Sequence, residues 1–132
     1  MSEKYIFLAE DNSNDVALTI KALSKCNIQN RLVVVTDGPE ALTYLLSPDL
    51  ETRPAVVILD LKLPFIDGFE VLRQIRANVN TQNLPVFILS SSVDENDRLK
   101  SIKLGANGYE CKPISFSEFV ILMHRICWEW VL

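Results

Sequence analysis

Hydrophobic and polar positions follow one another in blocks along the chain, with short apolar runs separated by longer segments of mixed character. The apolar runs have the length of strands and few polar interruptions, which is typical of strands buried on both faces of a parallel sheet. Five such runs predict strands over residues 5–9, 32–35, 55–59, 86–89 and 108–111. Because a segment of helical periodicity follows each run, the pattern predicts a doubly wound α/β domain with helices on both faces of the sheet.

Each of the five helical segments has a recognisable start. The starts lie at Asn12-Ser13-Asn14, Asp37-Gly38-Pro39, about Gly68, Asp94 and Ser115-Phe116-Ser117-Glu118. Such residues cap or open helices, and the last of these segments is a capping-box pattern. In the first helix, Val16, Ile20 and Leu23 recur at helical spacing and are expected to face the sheet. Gly105 is expected to end the fourth helix, over residues 94–104, in the left-handed conformation.

Length, composition and charge narrow the class of protein. The 132 residues are 48% hydrophobic and 23% charged, which suits one globular domain over residues 1–132 with no output domain. A net charge of −4 provides no basic stripe and argues against direct nucleic-acid binding. Cys26, Cys111 and Cys127 lack a paired spacing, and no signal peptide or membrane-spanning run is visible. The sequence therefore predicts a cytoplasmic protein with reduced thiols and no membrane association.

Polar and charged residues follow four of the five predicted strands. They are Glu10-Asp11, Asp60, Ser90-Ser91-Ser92 and Lys112-Pro113. The carboxyl ends of parallel strands share one edge of the sheet, which is where doubly wound folds bind ligands. Three carboxylates at one edge repel one another unless a cation lies between them, and Mg²⁺ accepts such ligands while leaving room for phosphate oxygens. The pattern predicts a divalent-metal site beside a carboxylate that can accept a phosphoryl group.

Taken together, the strand-end motifs resemble the receiver domain of two-component response regulators over essentially the whole chain. The motifs are Leu8-Ala9-Glu10-Asp11-Asn12, Ile58-Leu59-Asp60-Leu61-Lys62-Leu63-Pro64, Asp67-Gly68, Ile88-Leu89-Ser90-Ser91, and Gly105-Ala106-Asn107-Gly108-Tyr109 with Lys112-Pro113. The resemblance implies a flavodoxin-like fold whose five-stranded parallel sheet has the order 2-1-3-4-5 and carries five helices. It also implies a signalling role rather than an enzymatic one, in which a sensor histidine kinase phosphorylates the domain. The phosphorylated domain then signals to a downstream protein target or a phosphorelay protein.

The resemblance assigns the acceptor and the metal ligands. Asp60 is the expected phospho-acceptor and also a ligand of Mg²⁺ or Mn²⁺. Asp11 is expected to bind the metal directly, Glu10 through water, and Lys62 through its backbone carbonyl. The Asp37-Gly38 segment, the loop before the third strand and the absence of an output domain further resemble the small regulators that partner bacterial phytochrome kinases.

The resemblance also assigns a switch. Ser90 and Lys112 are expected to bind the phosphoryl group, and Tyr109 is the expected aromatic switch residue. Before phosphorylation, Ser90 and Tyr109 should favour an outward arrangement. The Lys112-Pro113 peptide bond is expected to be cis. Three positions are expected to tune access of the attacking water, namely Lys62, Ser91 and Ser92.

Three other functions compete with this interpretation. A flavodoxin-like cofactor protein would need a loop of backbone donors after the first strand, where Glu10-Asp11 would repel phosphate. A haloacid-type phosphatase would need a second Asp two residues after the nucleophile, where Lys62 stands. A degenerate receiver that only binds partners would have lost one of the site residues, and none is missing. These differences favour a functional receiver.

The last helix predicts self-association. One stripe of it should cover the sheet, formed by Phe116, Phe119, Val120, Met123, Cys127 and Trp130. The opposite face carries Ile121, Trp128 and Leu132 beside Arg125, whereas a monomer would be expected to place polar residues there. Exposed apolar residues rimmed by charge suggest an interface, so a homodimer is expected on the surface of the fourth helix, fifth strand and fifth helix. His124, the single histidine, is interpreted as structural or interfacial.

Overall fold

The computed structural model describes residues 3–132 and shows strands and helices in strict alternation. The strands are β1 (Ile6–Ala9), β2 (Leu32–Val35), β3 (Val56–Leu59), β4 (Val86–Ser90) and β5 (Gly108–Cys111). The helices are α1 (Ser13–Lys25), α2 (Gly38–Leu45), α3 (Gly68–Ala77), α4 (Glu95–Lys103) and α5 (Phe116–Trp130). The strands form one sheet of order β2-β1-β3-β4-β5, and every neighbouring pair is parallel. The predicted fold class and strand order are confirmed.

The ends of the elements differ from the predicted ends by a residue at most. Tyr5 and Ala55 precede β1 and β3 rather than opening them, although the Ala55 N–H still donates to the Tyr5 carbonyl at 2.8 Å. Ser90 belongs to β4, since this strand pairs with β5 as far as Ser90 opposite Cys111. The strand therefore brings the Ser90 side chain directly to the carboxyl edge of the sheet.

Side-chain caps fix where the helices begin. The capping residues, whose side chains accept backbone N–H groups of the first turn, are Asn12, Asp37, Asp67, Asp94 and Ser115. Four of these caps lie at predicted starts, and Asp67 caps the helix that was expected to begin about Gly68. Gly105 follows α4 with φ +102°, the left-handed conformation expected of it.

The core lies in two layers on opposite faces of the sheet. Successive side chains of a strand point to opposite faces, so Phe7 and Ala9 enter the layer under α2 and α3, whereas Ile6 and Leu8 enter the layer under α1 and α5. All four of these β1 residues are buried, as are all residues of β3. Burial of the central strands on both faces explains their nearly continuous apolar sequence.

The inward face of α1 was predicted wrongly in part. Ile20 is 51% exposed, while Thr19, Ala22 and Leu23 are the buried residues of this helix. Neighbouring helical positions are about 100° apart, so a face centred on Thr19 and Ala22 turns Ile20 toward the surface. The buried face of α1 therefore combines two small side chains, Thr19 and Ala22, with one large aliphatic side chain, Leu23.

In α5 the predicted division into two faces is largely confirmed. Phe119, Met123 and Cys127 are buried against the sheet, and Phe116 at the start of the helix is 40% exposed. The opposite face leaves Ile121 and Trp128 at 67% and 68% exposure. Within residues 3–132, none of the helices has the length and hydropathy needed to cross a bilayer.

Candidate functional site

Three carboxylates meet at the carboxyl edge of the sheet. Glu10 and Asp11 follow β1, and Asp60 follows the neighbouring strand β3. One oxygen from each of them lies within 4.8 Å of the others. Glu10 and Asp60 are buried, with 3% and 5% of their surface exposed, whereas Asp11 opens to solvent. An acidic pocket open on one side fits a hard divalent cation that keeps part of its water shell.

Lys112 supplies the positive charge of the site. Its ammonium nitrogen lies 2.7 Å from Glu10 Oε1, 3.0 Å from Asp60 Oδ2 and 2.8 Å from Asp15 Oδ2. The Lys112 side chain is only 13% exposed. Each of its three N–H donors therefore has a carboxylate partner.

Asp15 is the member of this group that the sequence did not reveal. It stands in the first turn of α1, where an acid is an ordinary helix-start residue, and it lies 97 positions from Lys112 along the chain. The Asn12 side chain fixes that turn by accepting the N–H groups of Asn14 and Asp15 at 2.9 and 3.1 Å. The sequence contains the acid, but only the tertiary structure shows that the first turn of α1 brings it to Lys112, which follows β5.

The electrostatics of the pocket are dominated by burial. Burial raises the pKa of Glu10 to about 7; hydrogen bonding to Lys112 opposes this shift and the neighbouring Asp60 reinforces it. For Lys112, burial lowers the pKa, but hydrogen bonds to Asp15, Glu10 and Asp60 outweigh it and raise the pKa above its ordinary value. The ammonium therefore remains charged throughout the physiological range, and Glu10 holds a proton more easily than an ordinary glutamate does.

The loop after β3 presents Asp60 to the pocket. The Asp60 N–H donates to the Ala9 carbonyl at 3.1 Å, and the Lys62 N–H donates to Asp60 Oδ1 at 3.2 Å. Gly68 closes the loop by donating its N–H to the Leu61 carbonyl at 2.8 Å. A Cβ atom at Gly68 would overlap the Asp60 carbonyl oxygen and come within 2.7 Å of Leu61 Cα, so the close approach requires glycine. The Lys62 side chain points to solvent.

The hydroxyl groups near the site are arranged differently from the expectation. Ser90 is fully buried, and its hydroxyl accepts the Ser92 N–H at 3.1 Å. Tyr109 is half-buried, packs against the core, and donates its hydroxyl to the Ser92 carbonyl at 2.8 Å. The predicted outward arrangement of these two side chains is therefore not found. The reason is that the backbone of Ser92 offers each of them a partner inside the loop after β4.

One further expectation is wrong. The Lys112–Pro113 peptide bond is trans, as X–Pro bonds usually are, and not cis. The expected roles of Ser91 and Ser92 in the access of water stay predictions. Ser91 is exposed, and the Ser92 hydroxyl donates to Asp97 Oδ2 of α4 at 2.6 Å.

A doubly wound five-stranded parallel sheet, with acids and one lysine gathered at its carboxyl edge, defines a receiver-type α/β protein. The family model of the response regulator receiver domain matches residues 6–124. The chain therefore belongs to the response regulator receiver family, and its role is phosphorelay signalling.

Similar proteins of known structure include several phytochrome response regulators. The phosphorylated cyanobacterial phytochrome response regulator RcpA is 36% identical, with a TM-score of 0.88 over 98% of this chain and 94% of its own. Response regulator Rcp1 of Synechocystis is 31% identical over 97% of this chain and 89% of its length. Its Mn²⁺-bound structure has a TM-score of 0.85 over 97% of this chain and 94% of that chain. The bacteriophytochrome response regulator RtBRR is 43% identical, with a TM-score of 0.78 over 90% of this chain and 75% of its own.

One of these relatives supports a divalent-metal site in the acidic pocket. A divalent cation is present in the Rcp1 structure, and the cluster of Glu10, Asp11 and Asp60 offers this chain the same kind of oxygen ligands. The acidic pocket is therefore a site for Mg²⁺ or Mn²⁺.

Proposed function

We propose that Asp60 accepts a phosphoryl group from a sensor histidine kinase and that the phosphorylated chain signals to a protein target. The observation that carries the proposal is the position of the Asp60 carboxylate, which is buried between two further acids and 3.0 Å from the Lys112 ammonium. A carboxylate can form an acyl phosphate when nearby positive charge stabilises the transferring group. Lys112 and a bound divalent cation provide that charge at this edge of the sheet.

The transfer is a displacement at phosphorus. A carboxylate oxygen of Asp60 forms the new bond to phosphorus, and the bond from phosphorus to the kinase imidazole nitrogen breaks and leaves its electron pair on that nitrogen. Lys112 balances the charge on the phosphoryl oxygens, and the buried Ser90 hydroxyl can donate to one of them once it turns away from Ser92. A bound Mg²⁺ or Mn²⁺ would neutralise further oxygen charge.

The metal would be held by residues of two strand ends. Asp11, the exposed acid, and Asp60 are proposed as direct ligands, and Glu10 as a ligand through water, since Lys112 already occupies Glu10 Oε1. The backbone carbonyl of Lys62 is proposed as the remaining protein ligand. The exposed side chains of Lys62 and Ser91 are proposed to affect how water reaches the acyl phosphate.

The input kinase is proposed to be of the phytochrome type, because the similar protein RcpA is a phytochrome response regulator and RtBRR is a bacteriophytochrome response regulator. The chain is proposed to catalyse only its own phosphorylation and dephosphorylation, and not to act as an enzyme on an external substrate.

A cytoplasmic location is proposed, since the three cysteines are free thiols that suit a reducing compartment.

Intact-mass spectrometry with acetyl phosphate and Mg²⁺ tests the acceptor. The wild type should gain one phosphoryl mass that hydroxylamine removes, and Asp60→Asn should gain none. Asp49→Asn is a matched control, because Asp49 is exposed in the loop that leads into β3, at the opposite edge of the sheet, and it should behave as the wild type does. Phosphorylation of Asp60→Asn at the wild-type rate would contradict the proposal.

We also propose that the chain forms a homodimer through the outer face of α5. Ile121, Trp128 and Leu132 are 67%, 68% and 56% exposed and recur at helical spacing. The Trp128 ring stacks on His124 at 5.9 Å, and Arg125 pairs with Glu110 of β5 at 2.5 Å. The outer face of α5 is thus an apolar strip with an ion pair at its rim, which is the composition of a protein interface. In a dimer with two-fold symmetry, this strip would contact the same strip of the second chain.

Sedimentation equilibrium tests the dimer. The wild type should associate in the micromolar range, and Trp128→Ala should weaken association at least tenfold. Phe65→Ala, which removes an aromatic ring that is 89% exposed elsewhere on the molecule, should leave association unchanged. A wild type that stays monomeric at high micromolar concentration, with or without the phosphoryl group, would exclude the dimer.

A further inference from the structure

Helix α4 has little apolar packing to hold it. Among its residues, Glu95–Lys103, Ser101 alone is buried. Its two aliphatic side chains, Leu99 and Ile102, are 52% and 44% exposed. Elements with few buried apolar contacts move at low cost in free energy. The position of α4 therefore depends on a few polar contacts, namely the Lys100 ammonium 4.3 Å from the centre of the Phe69 ring in α3 and the attachments at the two ends of the helix.

The C-terminal end of α4 is firmly attached. Leu104 and Ala106 pack against the core layer beneath α2 and α3. The Gly105 carbonyl accepts the Arg76 Nε–H from α3 at 2.9 Å, and Arg76 also donates to the Leu84 carbonyl at 2.7 Å. This end of the helix is therefore tied to α3 and to the residues around β4.

The N-terminal end is attached to the loop after β4 by two hydrogen bonds of the Ser92 side chain. Asp97, in the first turn of α4, accepts the Ser92 hydroxyl at 2.6 Å. The same hydroxyl oxygen accepts the Asp94 N–H at 3.2 Å. A hydroxyl donated to a carboxylate is a charge-assisted bond, and the two residues are half-buried, so this bond is stronger than an ordinary surface contact.

The backbone of Ser92 contacts the two residues that would respond to phosphorylation. Its N–H donates to the Ser90 hydroxyl at 3.1 Å, and its carbonyl accepts the Tyr109 hydroxyl at 2.8 Å. The same carbonyl accepts the Cys111 thiol at 3.2 Å. Ser92 thus joins the buried hydroxyl next to the pocket, the aromatic residue of β5 and the first turn of α4.

We infer that Ser92 is a positioning residue that couples the state of Ser90 and Tyr109 to helix α4 through its hydrogen bond to Asp97. The inference rests on the proposed phosphorylation of Asp60. When the Ser90 hydroxyl turns to a phosphoryl oxygen, the Ser92 N–H loses its acceptor and the loop backbone is free to shift. The bond to Asp97 then carries this shift to the N-terminal end of α4, and the helix pivots about its attached C-terminal end.

Two acids at the start of α4, the N-cap Asp94 and the first-turn residue Asp97, provide a matched pair for the test. Asp97→Ala removes the acceptor of the Ser92 hydroxyl. Asp94→Ala removes a charge from the same turn and the cap that accepts the Asn96 N–H, but leaves the Ser92–Asp97 bond in place. A purely structural role for Asp97 would make the two variants alike, since each loses a helix-start acid.

The measurement is the change in backbone amide chemical shifts of residues 95–100 on phosphorylation by acetyl phosphate and Mg²⁺, with phosphorylation verified by intact mass. In Asp97→Ala these changes should fall below half of the wild-type values, while the changes at Ser90 persist. Asp94→Ala should keep them, and Asp97→Asn, which retains an oxygen acceptor, should restore at least half. Phosphorylated Asp97→Ala with wild-type changes in α4 would overturn the inference. A phosphorylated wild type with no changes in α4 would overturn it as well, whereas a wild type that gains no phosphoryl mass would overturn the proposed function itself.

Discussion

At the scale of single residues, the pocket concentrates more negative than positive charge in a place with little water. Glu10, Asp60 and Asp15 all pair with the one ammonium of Lys112. Glu10 is the most enclosed of these acids, and burial raises its pKa to about 7. The metal-free site is therefore destabilised by its own ionisation, which explains why a divalent cation suits it.

The titration of Glu10 predicts how stability depends on pH in metal-free buffer. The pKa of Glu10 in the folded chain is about 7 against an ordinary value of 4.5, so the folded state binds the proton more tightly than the unfolded state. Its contribution to stability is complete below about pH 4.5 and is lost as the pH rises through about 7. We expect the loss to be on the order of 3 kcal/mol in the free energy of unfolding.

Urea unfolding with EDTA at several pH values measures this contribution as the difference between wild type and Glu10→Gln. The variant keeps the shape of the side chain but cannot ionise, so its free energy of unfolding should lack the decline seen in the wild type. Glu118→Gln, an exposed acid on α5, is the matched control and should follow the wild type. Parallel pH profiles for wild type and Glu10→Gln would show that Glu10 does not titrate in this range.

At the scale of elements, the helix caps fix the side chains that approach the site. Asn12 caps α1, and the same turn holds Asp15 against Lys112. Asp67 caps α3 beside the Asp60 loop, and Ser115 caps α5 soon after Lys112. Three helices therefore begin next to the pocket, so local capping and the geometry of the site are linked.

Loss of the α1 cap should affect both stability and the site. Asn12→Ala should lower the free energy of unfolding by about 1 kcal/mol, because two first-turn N–H groups lose their acceptor. It should also increase acetylation of Lys112 by acetic anhydride, since Asp15 is held less firmly against the ammonium. Asp37→Ala removes the equivalent cap of α2 and should cost a similar free energy without changing Lys112 reactivity. Mass spectrometry follows the acetylation of Lys112. If Lys112 reacts equally in the two variants, the α1 cap does not influence the site and the prediction is wrong.

At the scale of the whole molecule, the sheet is firmly packed and carries the residues of the site at its carboxyl edge. Central strands buried on both faces hold Glu10 and Asp60 in adjacent positions, whereas the outer helix α4 is held mainly at its ends. A local change at the pocket can therefore displace α4 without disturbing the two core layers. This contrast between a firm core and one loosely packed helix suits a signalling domain.

A bound divalent cation should stabilise the entire fold. Because the cluster of Glu10, Asp11 and Asp60 exists only in the folded chain, Mg²⁺ at ten times its dissociation constant should add about 1.4 kcal/mol. For a domain of this size the melting temperature should rise by about 3–6 °C. Thermal denaturation with MgCl₂, against NaCl of equal ionic strength, measures the effect, and Asp11→Ala should largely abolish it. A rise of the same size in NaCl would attribute it to screening of the net negative charge.

The sequence by itself determined the five strands, the helix caps and the edge at which the acids collect. These features follow from rules that act over a few residues: apolar runs of strand length, capping side chains, and the shared edge of parallel strands. Glu10, Asp60 and Lys112 were therefore predictable as neighbours from the sequence. Their individual roles came from motif resemblance, since spacing alone does not distinguish a ligand from an acceptor.

Only the tertiary structure decided which partners those residues take. Asp15 reaches Lys112 across 97 positions of the chain, and Tyr109 reaches the Ser92 carbonyl across 17. Ile20 was expected inward and lies outward, because α1 is turned so that Thr19, Ala22 and Leu23 form its buried face. Contacts between distant segments form only when whole helices and strands pack against one another. The free energy that orients a side chain such as Asp15 therefore comes from residues that are far apart in the sequence.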